Sequence, residues 1–203
     1  MPAALPPVTR AIIILNVLIF LLQQVIGDVL QSLFALFPLS AAQFEPWQLL
    51  TYAFLHEGDL RQLQIAHIFF NMFALFIFGA PLEQLWGTRR YTLYYLTCIL
   101  SAAVTELAVE NATNAGDVVI GASGGVFGLL LAFGWYFPKA KMIVLPVPIP
   151  MPAWLLVTLY GIVEFYLGVT GRQPGVAHFA HLGGMLGGAL AILYWRTRGR
   201  FAG

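Results

Sequence analysis

Gly121-Ala122-Ser123-Gly124-Gly125-Val126-Phe127-Gly128 places a hydroxyl among small residues at the head of the apolar run Val119 to Phe137. A serine with such neighbours is poorly shielded, so a second helix or a substrate can reach its oxygen. Gly121 and Gly125 are four apart, as are Gly124 and Gly128. Small residues at that spacing are the usual means of bringing two membrane helices together. Taken alone, the stretch reads first as a packing motif. The positions of the four histidines change that reading.

Of the 203 residues, 60% are hydrophobic and 9% charged, and the mean hydropathy is +0.82. A soluble domain of this length exposes far more charge, so the chain reads as an integral membrane protein in contact with the lipid bilayer. The basic residues are scattered in ones, twos and threes, which points away from nucleic acid. Cys98, the single cysteine, lies in an apolar run, so no disulfide framework or thiolate metal cluster is expected.

A spanning helix takes about 20 predominantly apolar residues. Six segments qualify: approximately 10–27, 67–85, 91–109, 120–137, 152–169 and 176–195. Met1 to Pro7 leads into the first, which reads as an uncleaved helix rather than a signal peptide. Asp28 to Ala66 suits an amphipathic segment in the membrane interface. Pro146, Pro148, Pro150 and Pro152 predict an extended connector and then a helix start. No second domain or repeat is evident, so residues 1–203 read as one membrane domain.

On a six-helix path Arg10, Arg89, Arg90, Lys139, Lys141, Arg196, Arg198 and Arg200 share one side, and only Arg61 and Arg172 fall on the other. The positive-inside rule then makes both termini cytoplasmic. Helices 2, 4 and 6 start at the outer face under this topology. His67, Ser123 and His181 all lie near those starts, so three polar side chains from distant parts of the chain come to one level.

A serine nucleophile needs a base for its proton and donors for the oxyanion that forms. Gly184 and Gly188 follow His181 at +3 and +7, so helix 6 can press against Gly124, Gly125 or Gly128 and bring imidazole to hydroxyl. His178 is the competing base, but the glycine spacing aligns with His181. His67 and Asn71 share a helix face and offer donors, as do the first amides of helix 4. The apolar runs hold no aspartate, so a serine–histidine dyad without a third carboxylate is expected. Glu106 and Glu164 read as snorkelling to water from the outer ends of helices 3 and 5, and Glu83 as a structural acceptor. His56 reads as a structural hydrogen-bonding residue, and Trp86 and Trp195 as interface anchors. No His-Glu-x-x-His and no carboxylate companion to the histidines is evident, so neither metal nor cofactor is expected.

Three motifs together resemble those of rhomboid intramembrane serine proteases of the bacterial type. They are Gly121-Ala122-Ser123-Gly124, Ala180-His181 with Gly184 and Gly188, and His67 with Asn71; Glu83 and Gly87 fall where that family has a structural pair. The resemblance runs from Trp47 to Gly188. It implies an all-α membrane protein, a six-transmembrane-helix bundle with an interfacial loop between helices 1 and 2. It implies Ser123 as nucleophile, His181 as base and later acid, His67 and Asn71 as oxyanion donors, and Phe127 as the aromatic under the imidazole, with Gly121, Gly124, Gly184 and Gly188 in support. Substrates would be transmembrane proteins cut near the outer end of a helix, in a bacterial inner membrane, with a water-filled cavity above Ser123. Two departures concern the loop. Trp47-Gln48 stands where many members have Trp-Arg, and the interval from His56 to His67 is longer than usual. The alternative is a catalytically inactive rhomboid-like protein that binds membrane partners; it has no need of both Ser123 and His181. A transporter predicts inverted repeats and broken helices, and the sequence shows neither. Natural substrate and oligomeric state are not legible.

Overall fold

A computed structural model describes residues 4–144, 147–173 and 175–198. Met1, Pro146 and Arg200, which entered the expectations above, lie outside the described residues. The helices are α1 (Pro7–Phe34), α2 (Gln48–Thr51), α3 (Ala66–Trp86), α4 (Thr88–Thr113), α5 (Ser123–Tyr136), α6 (Ala153–Thr170) and α7 (His178–Thr197). All but α2 lie on the six segments expected from hydropathy. Among the described residues α1, α3, α4 and α6 are long and apolar enough to cross a membrane, so four helices rather than six meet that criterion. α5 has 14 residues, and α7 carries two histidines and four glycines that lower its hydropathy.

α1 and α6 turn large apolar side chains outward, among them Leu18, Leu22, Val25, Ile162, Phe165 and Val169. In water such faces would be costly; in hydrocarbon they are the normal exterior of a membrane bundle. Within α3 the turn over Leu75–Gly79 is π-helical. Pro81 follows it, and proline's missing N–H and its clash with the carbonyl four residues back explain a widened turn there. The proline-alternating connector is a hairpin, β1 (Lys141–Val144) antiparallel to β2 (Val147–Pro152). Both strands are edges, where a residue without an N–H is tolerated.

α4 and α7 share the longest interface, and α5 and α7 the next. α4 buries one face, Tyr91, Tyr94, Tyr95, Cys98, Ile99 and Ala102. Glycines bring the other helices close. A Cβ on Gly184 would overlap the Gly124 carbonyl oxygen, so α5 and α7 touch backbone to backbone as expected. Gly188 and Gly125 behave differently: Gly188 receives the Tyr94 hydroxyl and Gly125 the Tyr95 ring, both from α4. These glycines seat the tyrosines of α4 rather than one another. Trp86, expected at the interface, is buried against the rings of Tyr94, Tyr136 and Trp195.

Polar side chains fasten the periphery. The Glu83 carboxylate accepts the backbone N–H groups of Val8 and Thr9 at 2.9 and 2.7 Å and the Thr9 hydroxyl at 2.8 Å. It thereby satisfies amides in the first turn of α1 that have no helical partner, as its reading as a structural acceptor requires. Gln48, at the position of the loop departure, is fully buried; it donates to the Gln43 carbonyl at 2.8 Å and accepts the Phe37 N–H at 3.3 Å. A neutral amide thus closes the loop.

Gly184→Ala is expected to force α5 and α7 apart, because the overlapping atom is backbone and cannot rotate away. A loss of about 1–3 kcal/mol should appear as a lowered unfolding midpoint in detergent. Gly161→Ala serves as the control, since its Cβ would sit 3.6 Å from the flexible Met185 methyl.

Candidate active site

Ser123 is the first residue of α5, and the chain reaches it through a tethered strand-like segment. Leu36 and Val119 exchange two backbone hydrogen bonds of 3.0 Å, and the Gly121 N–H donates to the Tyr52 carbonyl at 2.9 Å. The interfacial loop therefore sets where α5 begins. Gly121 has φ +126°, a region that favours glycine, and a Cβ there would lie 2.9 Å from His67 Nε2. Its bare backbone is what admits His67 beside Ser123.

His181, on the first turn of α7, has its Nε2 2.8 Å from Ser123 Oγ. Its ring lies flat on Phe127, with centroids 4.2 Å apart and 6° between planes. The stack and the hydrogen bond together leave the imidazole one orientation. The other ring nitrogen, Nδ1, is 2.8 Å from Oε2 of Glu164, and the same oxygen is 2.7 Å from Nδ1 of His178. Glu164, His178 and His181 are all buried.

Two expectations fail here. Glu164 does not snorkel to water, and a carboxylate does stand at the histidine. It belongs to α6, 17 residues before His181 in sequence, so proximity along the chain gives no hint of it. A signal was available: a glutamate within an otherwise apolar helix is a functional candidate by default, and His178 and His181 lie three apart on one face of α7. His178 does not meet Ser123; it bonds to Glu164. Glu164, His178 and His181 offer three ligand atoms within 4.8 Å of one another. Two zinc ligands at a tetrahedral centre would stand about 3.3 Å apart, farther than the 2.7 and 2.8 Å found between the carboxylate and the imidazoles.

His67 accepts the Glu57 N–H at Nδ1, 3.3 Å away. A neutral imidazole accepting at one nitrogen carries its proton on the other, so Nε2–H is the donor left facing Gly121 and Ser123. His56 has the opposite arrangement: its Nε2 accepts the Ala122 N–H at 3.4 Å. Burial, with a smaller contribution from His67, pushes its imidazole down to about 3, so it remains the neutral acceptor its structural reading needs. Asn71 is buried and donates to the His67 carbonyl of its own helix at 3.0 Å. It does not line the cavity.

That cavity, of about 400 Å³, is walled by Ser123, His181, His67, Glu57, Glu106 and Asp117, with the 118–120 and 175–177 stretches. Its volume and polar walls suit water. A hydroxyl bonded to a fixed imidazole, beside an imidazole N–H and the unpartnered first amides of a helix, is equipped for acyl transfer.

A family model described as Rhomboid domain matches residues 43–198. The chain is 32% identical over 155 residues to RHOMBOID-like protein 6, mitochondrial, of Arabidopsis thaliana, covering 71% of this chain and 42% of that protein. It is 28% identical over 192 residues to Rhomboid protease GluP of Bacillus subtilis, covering 92% and 34%. With Rhomboid protease GlpG of Serratia proteamaculans the identity is 24% over 200 residues, covering 96% and 64%. The chain thus spans less than two thirds of the length of each of these relatives.

Gly121→Ala is expected to displace His67 and slow the reaction of Ser123 with a serine-directed fluorophosphonate. Loss of one oxyanion donor costs about 10²–10³ in rate; an unchanged labelling rate would show that His67 is not needed there.

Proposed function

The chain belongs to the rhomboid family, and from that premise we propose that it is an intramembrane serine endopeptidase, with Ser123 as nucleophile and His181 as general base. Its substrates are other membrane proteins, cut within or near a transmembrane segment. The observation that carries this reading is the 2.8 Å contact between His181 Nε2 and Ser123 Oγ at the wall of a polar cavity. A catalytically silent relative has no use for that contact.

Ser123 Oγ attacks the scissile carbonyl as its proton passes to His181 Nε2. The developing oxyanion takes hydrogen bonds from His67 Nε2–H and the first amides of α5, with Asn71 supporting His67 through the turn they share. His181 then protonates the departing amine, and a water from the cavity hydrolyses the acyl-enzyme by the same steps in reverse roles. A substrate helix hides its carbonyls in its own hydrogen bonds, so segments that unwind easily are favoured. The glycines around Ser123 favour small side chains at the cut. The arginine and lysine distribution supports cytoplasmic termini and a site facing the outer side of the membrane.

In detergent the wild-type chain should label with a fluorophosphonate, and Ser123→Ala should abolish labelling. His181→Ala should slow it by about 10²–10⁴. Labelling that survives Ser123→Ala ends the assignment.

A further inference from the structure

We propose that Glu164 is a positioning residue of this active site, its carboxylate orienting the His181 imidazole so that Nε2 accepts the Ser123 proton. The proposal rests on the reading of Ser123 and His181 above and adds a third member to that pair. Oε2, Nδ1, Nε2 and Oγ form a continuous chain with contacts of 2.8 and 2.8 Å. It crosses three helices, from α6 through α7 to α5.

A neutral imidazole holds one proton. With a carboxylate at Nδ1 that proton stays on Nδ1, and the lone pair of Nε2 faces the hydroxyl, as a general base requires. When Ser123 transfers its proton, the ring becomes an imidazolium with Glu164 already in contact to balance the charge. The proton returns from Nε2 to the leaving amine, and Glu164 neither gains nor loses one. His178 supplies a second N–H to the same oxygen at 2.7 Å, which keeps the carboxylate in place.

The energetics support a pairing role. A carboxylate buried in an apolar helix is costly unless hydrogen-bonded donors compensate it. Glu164 has two within 2.8 Å. Other titratable side chains facing the site include Tyr160, packed on Phe127 near Glu164, His67 and Glu106 across the cavity, and Glu57 and Asp117 at its walls. Docking of α6 against α7 becomes a condition of catalysis, because the base is aligned only while Glu164 reaches it.

The test is fluorophosphonate labelling of the full chain in detergent, resolved into the maximal inactivation rate and the half-saturating probe concentration. Glu164→Gln keeps shape and removes charge. It should lower the maximal rate by about 10²–10⁴, leave half-saturation within about threefold, and hold the unfolding midpoint near wild type. A maximal rate within tenfold of wild type overturns the proposal, and labelling that still depends on Ser123 and His181 would leave the protease reading standing. Glu164→Asp keeps the charge but withdraws it by one methylene; a slowed rate supports positioning and a wild-type rate overturns it. His178→Ala should cost less, about tenfold. EDTA should leave the wild-type rate unchanged. An EDTA-sensitive rate restored by zinc would assign the cluster to a cation and overturn the positioning role.

Discussion

The approach of α5 to α7 through Gly124 and Gly184 is the constraint on which the site depends. Any side chain at Gly184 would meet the Gly124 carbonyl, and that closeness lets a short serine and an imidazole one turn away in α7 reach hydrogen-bond distance. In hydrocarbon there is little hydrophobic drive to press helices together, so close van der Waals contact between small residues supplies the attraction. α4 completes the arrangement. Its tyrosines fill the space that Gly125 and Gly188 leave, fixing the distance of α5 and α7 from the centre of the bundle.

Several polar side chains in this apolar setting are held by dedicated partners. Glu83 receives amides and a hydroxyl at one end of α1. Gln48 closes the loop, and Glu164 receives two imidazoles. Glu83 joins segments 74 residues apart and Glu164 ties α6 to α7; an unpaired polar group in lipid would cost several kcal/mol. The cavity over Ser123 differs from these sites. There carboxylates and a hydroxyl face open volume.

His67 shows how a hydrogen bond at one ring nitrogen decides what the other nitrogen offers. The Glu57 amide occupies Nδ1, and this choice of acceptor leaves a donor towards Ser123. His56 is held the other way round by the Ala122 amide. Two rings with centroids 5.1 Å apart therefore carry opposite roles, determined by which backbone N–H each one meets.

Much of this was legible along the chain. Hydropathy located the long helices, because burial in lipid demands apolar length. The spacing of Gly124, Ser123, His181 and Gly184 announced a close helix pair bringing an imidazole to a hydroxyl, since helical periodicity ties sequence position to a face. Glu83 was readable as an acceptor for the same local reason. The companion of His181 was not. Glu164 sits on another helix, and nothing in its own neighbourhood states whether that helix turns it towards lipid, water or an imidazole. Nor could spacing reveal that Gly125 and Gly188 receive tyrosines of α4, or that Asn71 turns to its own helix while His67 turns to the cavity. Periodicity specifies the face of one helix; which side chains meet across helices is decided by packing three of them at once.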